Sequence, residues 1–349
     1  MDRDRVRLAL IGAGVIGQRH LKSIAVVERA ELVAIVDTNP AVEQIAAESS
    51  VPFFRATGAM LKEVKPEGVF VCSPTDLHLQ PVLESLRSGA HVLVEKPITA
   101  TLDEAEEIIE LSEKTSRHVL VGHHRRYYEN VNETKKLIQN GALGKLLGLS
   151  GLWTDNKHDA YFEPEWRKVR AAGPVLINLI HEIDMLRYMC GEIVSVSAKL
   201  QTGLRGHPKE ETAAILLNFE NGTLGTFLIS DATPSPWTWE HATGDTPSYP
   251  HYGVNVLRFV GSEAALDFPN LRLWKHNGEI PDWQHELTPQ AIDIQLCNAF
   301  EAECAHFCEV IAGEQAPRIT AADAAGSLAV VLAIFEAADS GKEVEIGGA

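Results

Sequence analysis

Three groups of residues in this chain have types and spacings that can carry chemistry. The first is Gly12-Ala13-Gly14-Val15-Ile16-Gly17, which follows the apolar run Val6 to Ile11 and precedes a segment, Gln18 to Glu28, able to continue as a helix. In that strand-turn-helix setting Gly12 permits the tight turn, Gly14 lets a pyrophosphate approach the backbone, and Gly17 lets helix pack on strand. The anion would rest on the helix N-terminus, where unpaired N–H groups and the helix dipole favour negative charge. Asp37 stands 20 positions beyond Gly17, at the end of the second apolar run, Glu31 to Asp37. A carboxylate there accepts hydrogen bonds from ribose hydroxyls and repels a 2′-phosphate, so NAD is the expected ligand and NADP the less favoured one. An ordinary turn with a solvated strand end is the bland alternative.

The second group is Glu95-Lys96-Pro97, which ends the apolar run His91 to Val94. That end lies at the carboxyl edge of the sheet, where open α/β proteins bind ligands. Pro97 stops the strand and biases Lys96 towards extended backbone. A buried lysine near substrate can donate to a hydroxyl undergoing oxidation or take its proton; a plain surface lysine is the alternative. The third group lies on a helix expected over Val175 to Cys190. There Asn178, His181 and Glu182 face away from the apolar stripe of Leu176, Leu179, Ile180, Ile183 and Leu186. His181 can shuttle a proton near neutral pH, or can be a solvated helix histidine paired with Asp184.

Weaker signals surround these. Cys304 and Cys308 flank His306, but their helix is suited to burial, so core cysteines are expected and no metal site. His123-His124-Arg125-Arg126 has the residue types of an anion or metal site. Trp153, Trp166 and Arg167 either line a cleft or pack.

The elements that must position these residues alternate as strand, helix, strand up to about Gly122, with further strands at Gly68 to Cys72 and Val119 to Val121. That rhythm calls for a doubly wound parallel sheet over residues 1–122. Thr101 and Glu104 have capping-box spacing at the start of a helix. Residues 123–349 read as an α+β domain with a large, mainly antiparallel sheet. Strands are expected at Lys145 to Thr154, Thr212 to Phe219, Thr223 to Ser230, Val254 to Val260, Ala265 to Phe268 and Leu271 to Lys275, with a hairpin at Asn221-Gly222. Helices are expected near Val131 to Gln139, from about Pro289 to Ile311, and over Ala321 to Ala338, the last packing back on the first domain. Asp231 to Tyr252, rich in proline and aromatics, reads as a lid.

The chain has 349 residues, a formal net charge of −17 and five cysteines. The acidity argues against a nucleic-acid partner, and the odd, scattered cysteines against a disulfide framework. With no leader-like segment and no apolar run expected to approach membrane-spanning length, the cytoplasm is the expected location.

Together the motifs resemble the Gfo/Idh/MocA family of glucose-fructose oxidoreductase, inositol dehydrogenase and rhizopine-catabolism proteins. The resemblance rests on Gly12 to Gly17, on Cys72-Ser73-Pro74-Thr75-Asp76-Leu77-His78 and on Glu95-Lys96-Pro97. It continues in Val121-Gly122 followed by Arg125 and Tyr127, and in Gly173-Pro174 leading to His181-x-x-Asp184. It implies a nicotinamide-dependent dehydrogenase acting on a hydroxyl of a sugar, cyclitol or related polyol, assembled as a homo-oligomer, dimer or tetramer. By position it implies that Lys96 and His181 are catalytic. The cofactor would be held by Gly12, Gly14, Val15, Ile16, Gly17, Asp37, Ser73, Pro74, Thr75, His78, Glu95 and Lys96. The substrate would be met by Lys96, His123, Arg125, Trp153, Asn178 and His181. One departure stands out: the family's helix carries Asp or Asn four residues before the histidine, where this chain has Ile177. Asn178 lies one position later, about 100 degrees round a continuous helix. A dihydrodiol or cyclic-acid dehydrogenase and a non-catalytic NAD-binding sensor are the alternatives.

Overall fold

The computed structural model describes residues 5–277, 282–295 and 297–347. By their contacts they form two compact units, Met1–Tyr127 with Asn298–Leu328, and Tyr128–Cys297 with Ala329–Ala349. A single division after residue 122 therefore misplaces Asn298–Leu328. That segment joins the first unit because Cys304, Phe307 and Cys308 pack in one core with Leu8, Leu10, Phe70 and Leu93.

The first unit runs β1 (Val6–Ile11), α1 (Val15–Val26), β2 (Ala30–Val36), α2 (Glu43–Glu48), β3 (Phe53–Phe54), α3 (Thr57–Val64), β4 (Gly68–Val71), α4 (Leu79–Arg87), β5 (His91–Val94), α5 (Leu102–Thr115) and β6 (Val119–Val121). The strands pair in parallel in the order β3-β2-β1-β4-β5-β6, the doubly wound arrangement with its switch between β1 and β4. Every residue of β4, β5 and β6 is buried, as continuous apolar runs must be in a sheet covered on both faces. The Thr101–Glu104 capping box forms at the head of α5.

The second unit begins with α6 (Glu129–Gln139), β7 (Leu146–Thr154), α7 (Pro174–Ile177) and α8 (Leu179–Cys190). It continues through β8 (Ile193–Gln201), β9 (Thr212–Phe219), β10 (Leu224–Ser230), α9 (Trp239–Thr243), β11 (Leu257–Gly261), β12 (Ala265–Phe268), β13 (Arg272–His276) and β14 (Leu287–Ala291). After α10 (Ala299–Ile311) and α11 (Ala321–Ser340), β15 (Val344–Glu345) completes a nine-stranded sheet of order β14-β13-β12-β11-β7-β10-β9-β8-β15. Its pairs are antiparallel except β7 with β10. Asn221-Gly222 makes the expected hairpin, Gly222 taking φ +83°.

Three expectations need correction. Pro289 opens no helix: it lies in β14, an edge strand, where a missing N–H is tolerated. The helix starts at Ala299, capped by the Asn298 side chain. The span Val175 to Cys190 is two helices, not one, broken at Asn178. Finally, α11 has the length and apolarity of a membrane span, which the sequence reading had not credited to any segment; 56% of it is buried within the protein, and its Asp323 is ion-paired with Arg126, features of a core helix.

Candidate active site

The nucleotide-binding half is built from the carboxyl ends of β1, β2, β4 and β5. Gly12 has φ +87°, and a Cβ there would lie 2.8 Å from the Cys72 and Ser73 backbone; a Cβ on Gly17 would fall 2.0 Å from the Gly12 carbonyl. Both glycines are sterically required. A Cβ on Gly14 would meet nothing within 4 Å, so the backbone is open there. The first turn of α1 carries no acidic residue and no side-chain cap, and Val15 is 94% exposed. An open, uncapped N-terminus over a glycine turn fits a dinucleotide pyrophosphate. Asp37 Oδ2 accepts from the Ala13 amide at 2.8 Å and Oδ1 from the Asn39 amide at 2.8 Å. These two bonds fix the carboxylate, and each oxygen keeps a lone pair for a ribose hydroxyl.

One basic residue near this corner escaped sequence reading. Arg55, just after β3, hydrogen-bonds the Thr38 carbonyl at 3.0 Å. Only the parallel pairing of β2 with β3 brings it beside Asp37, so no local pattern marks it.

Lys96 is half-buried at the end of β5, and its neighbours are arranged to fix it. The Glu95 carboxylate is 6% exposed. Its Oε1 lies 2.8 Å from His20 Nε2, and its Oε2 accepts from the Lys96 amide at 3.1 Å. Burial opposes its ionisation, yet the hydrogen bond and charge of His20, with the charge of Lys96, hold the carboxyl below its ordinary value. Nearby, Glu303 is 1% exposed, with neither carboxyl oxygen bonded among the described residues, and burial and the charge of Glu95 push its pKa well up. His20 was missed by sequence reading. Its signal was faint: it sits three positions beyond Gly17 on the face of α1 turned to the sheet.

Glu95 and His78, expected among the residues that hold the cofactor, are both buried. His78 is 1% exposed, with Nε2 2.8 Å from the Ser73 carbonyl and Nδ1 3.0 Å from the Pro97 carbonyl. It braces the turn after β4 against the turn after Lys96, and burial lowers its pKa. Ser73, Pro74 and Thr75 form the first of those turns. His123 and Arg125, 1% and 2% exposed, follow β6.

The second unit holds His181 in the first turn of α8. The break before it is at Asn178, with φ −108° and ψ −53°, and the His181 amide bonds the Asn178 carbonyl at 3.1 Å. Asn178 itself keeps helical backbone angles and its amide bonds the Pro174 carbonyl at 3.0 Å, so its displacement from Ile177 stands, and its side chain takes a partner of its own. That side chain accepts from Lys157 Nζ at 2.9 Å, another residue that sequence reading passed over. The helix is also less amphipathic than expected: Glu182, Asp184 and Arg187 are all buried, so a solvated His181–Asp184 pair is ruled out by the burial of Asp184. Trp153, expected among the residues that meet substrate, is 2% exposed and donates to Glu240 at 3.3 Å.

The segment from Asp231 to Tyr252, expected as a lid, is ordered and partly buried. Thr238 caps α9, Trp239 is fully buried and donates to Asp245 at 2.9 Å, and Asp231 is fully buried between Lys209 at 2.7 Å and Arg205 at 2.9 Å. Trp237 and Tyr252 remain exposed. Cys304 and Cys308 are core residues.

Residues 6–123 match the family model described as "Oxidoreductase family, NAD-binding Rossmann fold", and residues 131–266 match the GFO/IDH/MocA C-terminal domain. The chain is 23% identical to the rhizopine catabolism protein MocA of Rhizobium meliloti, over 95% of each chain. It is 24% identical to the scyllo-inositol 2-dehydrogenase (NAD(+)) of Bacillus subtilis, over 98% of this chain and 96% of the relative. In fold it is similar to the WlbA dehydrogenase of Bordetella pertussis, solved with NADH and UDP-GlcNAcA, at a TM-score of 0.80 and 20% identity over 99% and 100% of the two chains. With both halves matched and the glycine turn, Asp37 and the braced Lys96 in place, the chain belongs to the GFO/IDH/MocA family of NAD-binding oxidoreductases.

Proposed function

We propose that the protein is an NAD-dependent dehydrogenase interconverting a secondary alcohol and its ketone on a sugar, cyclitol or related polyhydroxylated substrate. The observation that carries the reading is that the glycine turn follows β1, Asp37 follows β2 and the Glu95-braced Lys96 follows β5, all at one edge of one parallel sheet. Doubly wound sheets bind their ligands at that edge. Relatives named for inositol and rhizopine chemistry support the polyol class.

The bound cofactor supplies the hydride acceptor and donor. The amides at Gly14 to Ile16 hold the pyrophosphate, and Asp37 accepts from the ribose, which favours NAD over NADP. Lys96 hydrogen-bonds the reacting oxygen and stabilises charge developing on it, while His181 takes the hydroxyl proton on oxidation and returns it on reduction. His123, Arg125 and Asn178 contact the substrate. The protein works in a reducing compartment such as the cytoplasm, a reading supported by five cysteines whose odd number and scattered spacing do not suit a disulfide framework. It assembles as a homo-oligomer, because Leu216, Leu224, Leu228 and Val260 on the outer sheet face are 39–62% exposed and a second copy would cover them.

Steady-state turnover with NAD and NADP on sugars, cyclitols and cis-dihydrodiols tests the proposal. Polyol oxidation supports it. Preferential turnover of dihydrodiols would overturn the substrate class, and cofactor binding without turnover on the whole panel would make the protein a sensor.

A further inference from the structure

Lys157 is an unusual lysine. Its side chain is 13% exposed, and one of its three N–H bonds goes to Asn178 Oδ1 at 2.9 Å. The nearest carboxylate, Asp231, is 3.8 Å away, beyond hydrogen-bond reach and already bonded by Lys209 at 2.7 Å and Arg205 at 2.9 Å. Among the described residues the other two donors of this largely buried ammonium meet no hydrogen-bond acceptor, only the Trp153 and Tyr161 rings at 5.7 and 5.1 Å, an arrangement that an added acceptor would stabilise. Burial brings the pKa down to about 8 even though Asp231, Asp155 and Glu240 oppose the shift and Lys209 assists it.

A second cation contacts the same Tyr161 ring. Lys157 Nζ is 5.1 Å from the centre of the Tyr161 ring and the Arg167 guanidinium carbon 4.2 Å from the same ring. Arg167 donates to the Tyr161 carbonyl at 2.9 Å, its Nε is buried without a partner, and no carboxylate among the described residues is paired with it. Two cations held against one aromatic ring raise the local positive potential, which favours an anion. The Asn178 carbonyl in turn holds the His181 amide, so this arrangement is attached to the proposed proton shuttle by its own backbone.

We propose that Lys157 and Arg167, set against Tyr161 and tied through Asn178 to the His181 turn, form a carboxylate-binding subsite, and that the preferred substrate is a polyhydroxylated acid. The proposal deepens the dehydrogenase reading and rests on it for the identity of the bound molecule as substrate. A charge-assisted contact of this kind discriminates an acid from its neutral counterpart by about 10- to 100-fold.

The test is calorimetric binding to the full-length, NAD-loaded protein of three pairs: D-gluconate with D-glucitol, D-galactonate with galactitol, and D-glucuronate with D-glucose. At least one acid is expected to bind about tenfold or more tighter than its neutral partner. Lys157→Met should remove the difference, Lys157→Arg should restore most of it, and NAD affinity should be unchanged in both. Arg167→Gln, at a half-buried position where folding is less at risk, should reduce the difference independently. No preference for any acid, or equal weakening of acid and neutral ligand in Lys157→Met, would overturn the subsite. Lys157-dependent acid binding without turnover of any polyol would leave the subsite standing and sink the dehydrogenase reading. Turnover of neutral polyols with no acid preference would do the reverse.

Discussion

The Glu95 carboxylate meets the His20 imidazole at 2.8 Å across 75 residues of sequence, and its second oxygen receives the amide of Lys96. A buried pair thus ties the helix that follows the glycine turn to the proposed catalytic lysine. His20→Leu should cost roughly 1.5–3 kcal/mol, the range for a hydrogen bond to a charged group. The native carboxyl is held below its ordinary value of 4.5, so this stabilisation is complete above that pH and is lost as the pH falls through the lowered native value. Urea unfolding of both proteins between pH 7 and 3.5 checks this: the gap between them should narrow only in acid.

Lys96→Met should abolish turnover while leaving NAD affinity within a few fold, because the lysine acts on the substrate oxygen. His181→Asn should lower kcat by roughly two to four orders of magnitude and flatten the acid limb of the oxidation profile, as loss of a positioned general base does. Single-turnover kinetics and cofactor fluorescence titrations separate the two effects. Near-normal kcat in either variant would remove that residue from the mechanism.

Asp37→Ser should narrow the preference for NAD, since the fixed carboxylate no longer repels a 2′-phosphate. Arg55, anchored on the Thr38 carbonyl, should then supply the counter-charge, so adding Arg55→Ala should weaken NADP binding in the Ser variant by about 5- to 10-fold and spare NAD. Kd values for both cofactors on the three proteins decide the point. An unmodified protein that binds both cofactors equally would contradict the role given to Asp37.

Acid-ligand affinity should fall as the pH rises through about 8, where Lys157 loses its proton. Lys157→Arg should remove that limb, because guanidinium stays charged. The same shift bears on stability. With a native pKa of about 8 against an ordinary 10.5, the folded chain sheds this proton first, so the lysine's contribution to stability rises with pH across that interval. Comparing wild type with Lys157→Met in urea at pH 7.5 and 10 measures the sign directly.

Much of the nucleotide half was legible because its constraints are local. Gly12, Gly17 and the Thr101–Glu104 box are demands of backbone geometry, which sequence spacing records. The break at Asn178 was not legible: apolar periodicity from Leu176 to Leu186 is equally satisfied by two helices with a turn between them, and no proline marks the join. Lys157, Arg55 and His20 escaped for another reason. Each acquires its meaning from a partner on a different element, and a single lysine, arginine or histidine carries no sign of that partner. The buried Trp239 and Asp231 illustrate the converse, since a segment rich in Pro and aromatics reads as a lid whether its rings face water or core.

The membership of Asn298–Leu328 in the first unit has a consequence for synthesis on the ribosome. When Tyr127 has been added, all six parallel strands exist, yet Phe307, Cys304 and Cys308, which pack with Leu8 and Phe70, have still to be translated. At about 5–20 residues per second, the whole of Tyr128–Cys297 intervenes for roughly 10–30 seconds. During that interval the nascent sheet carries an uncovered apolar face. Its final closure waits on Asn298–Leu328, and a ribosome stalled before Ala299 would hold a chain with every strand of its nucleotide-binding sheet and no means of completing the core.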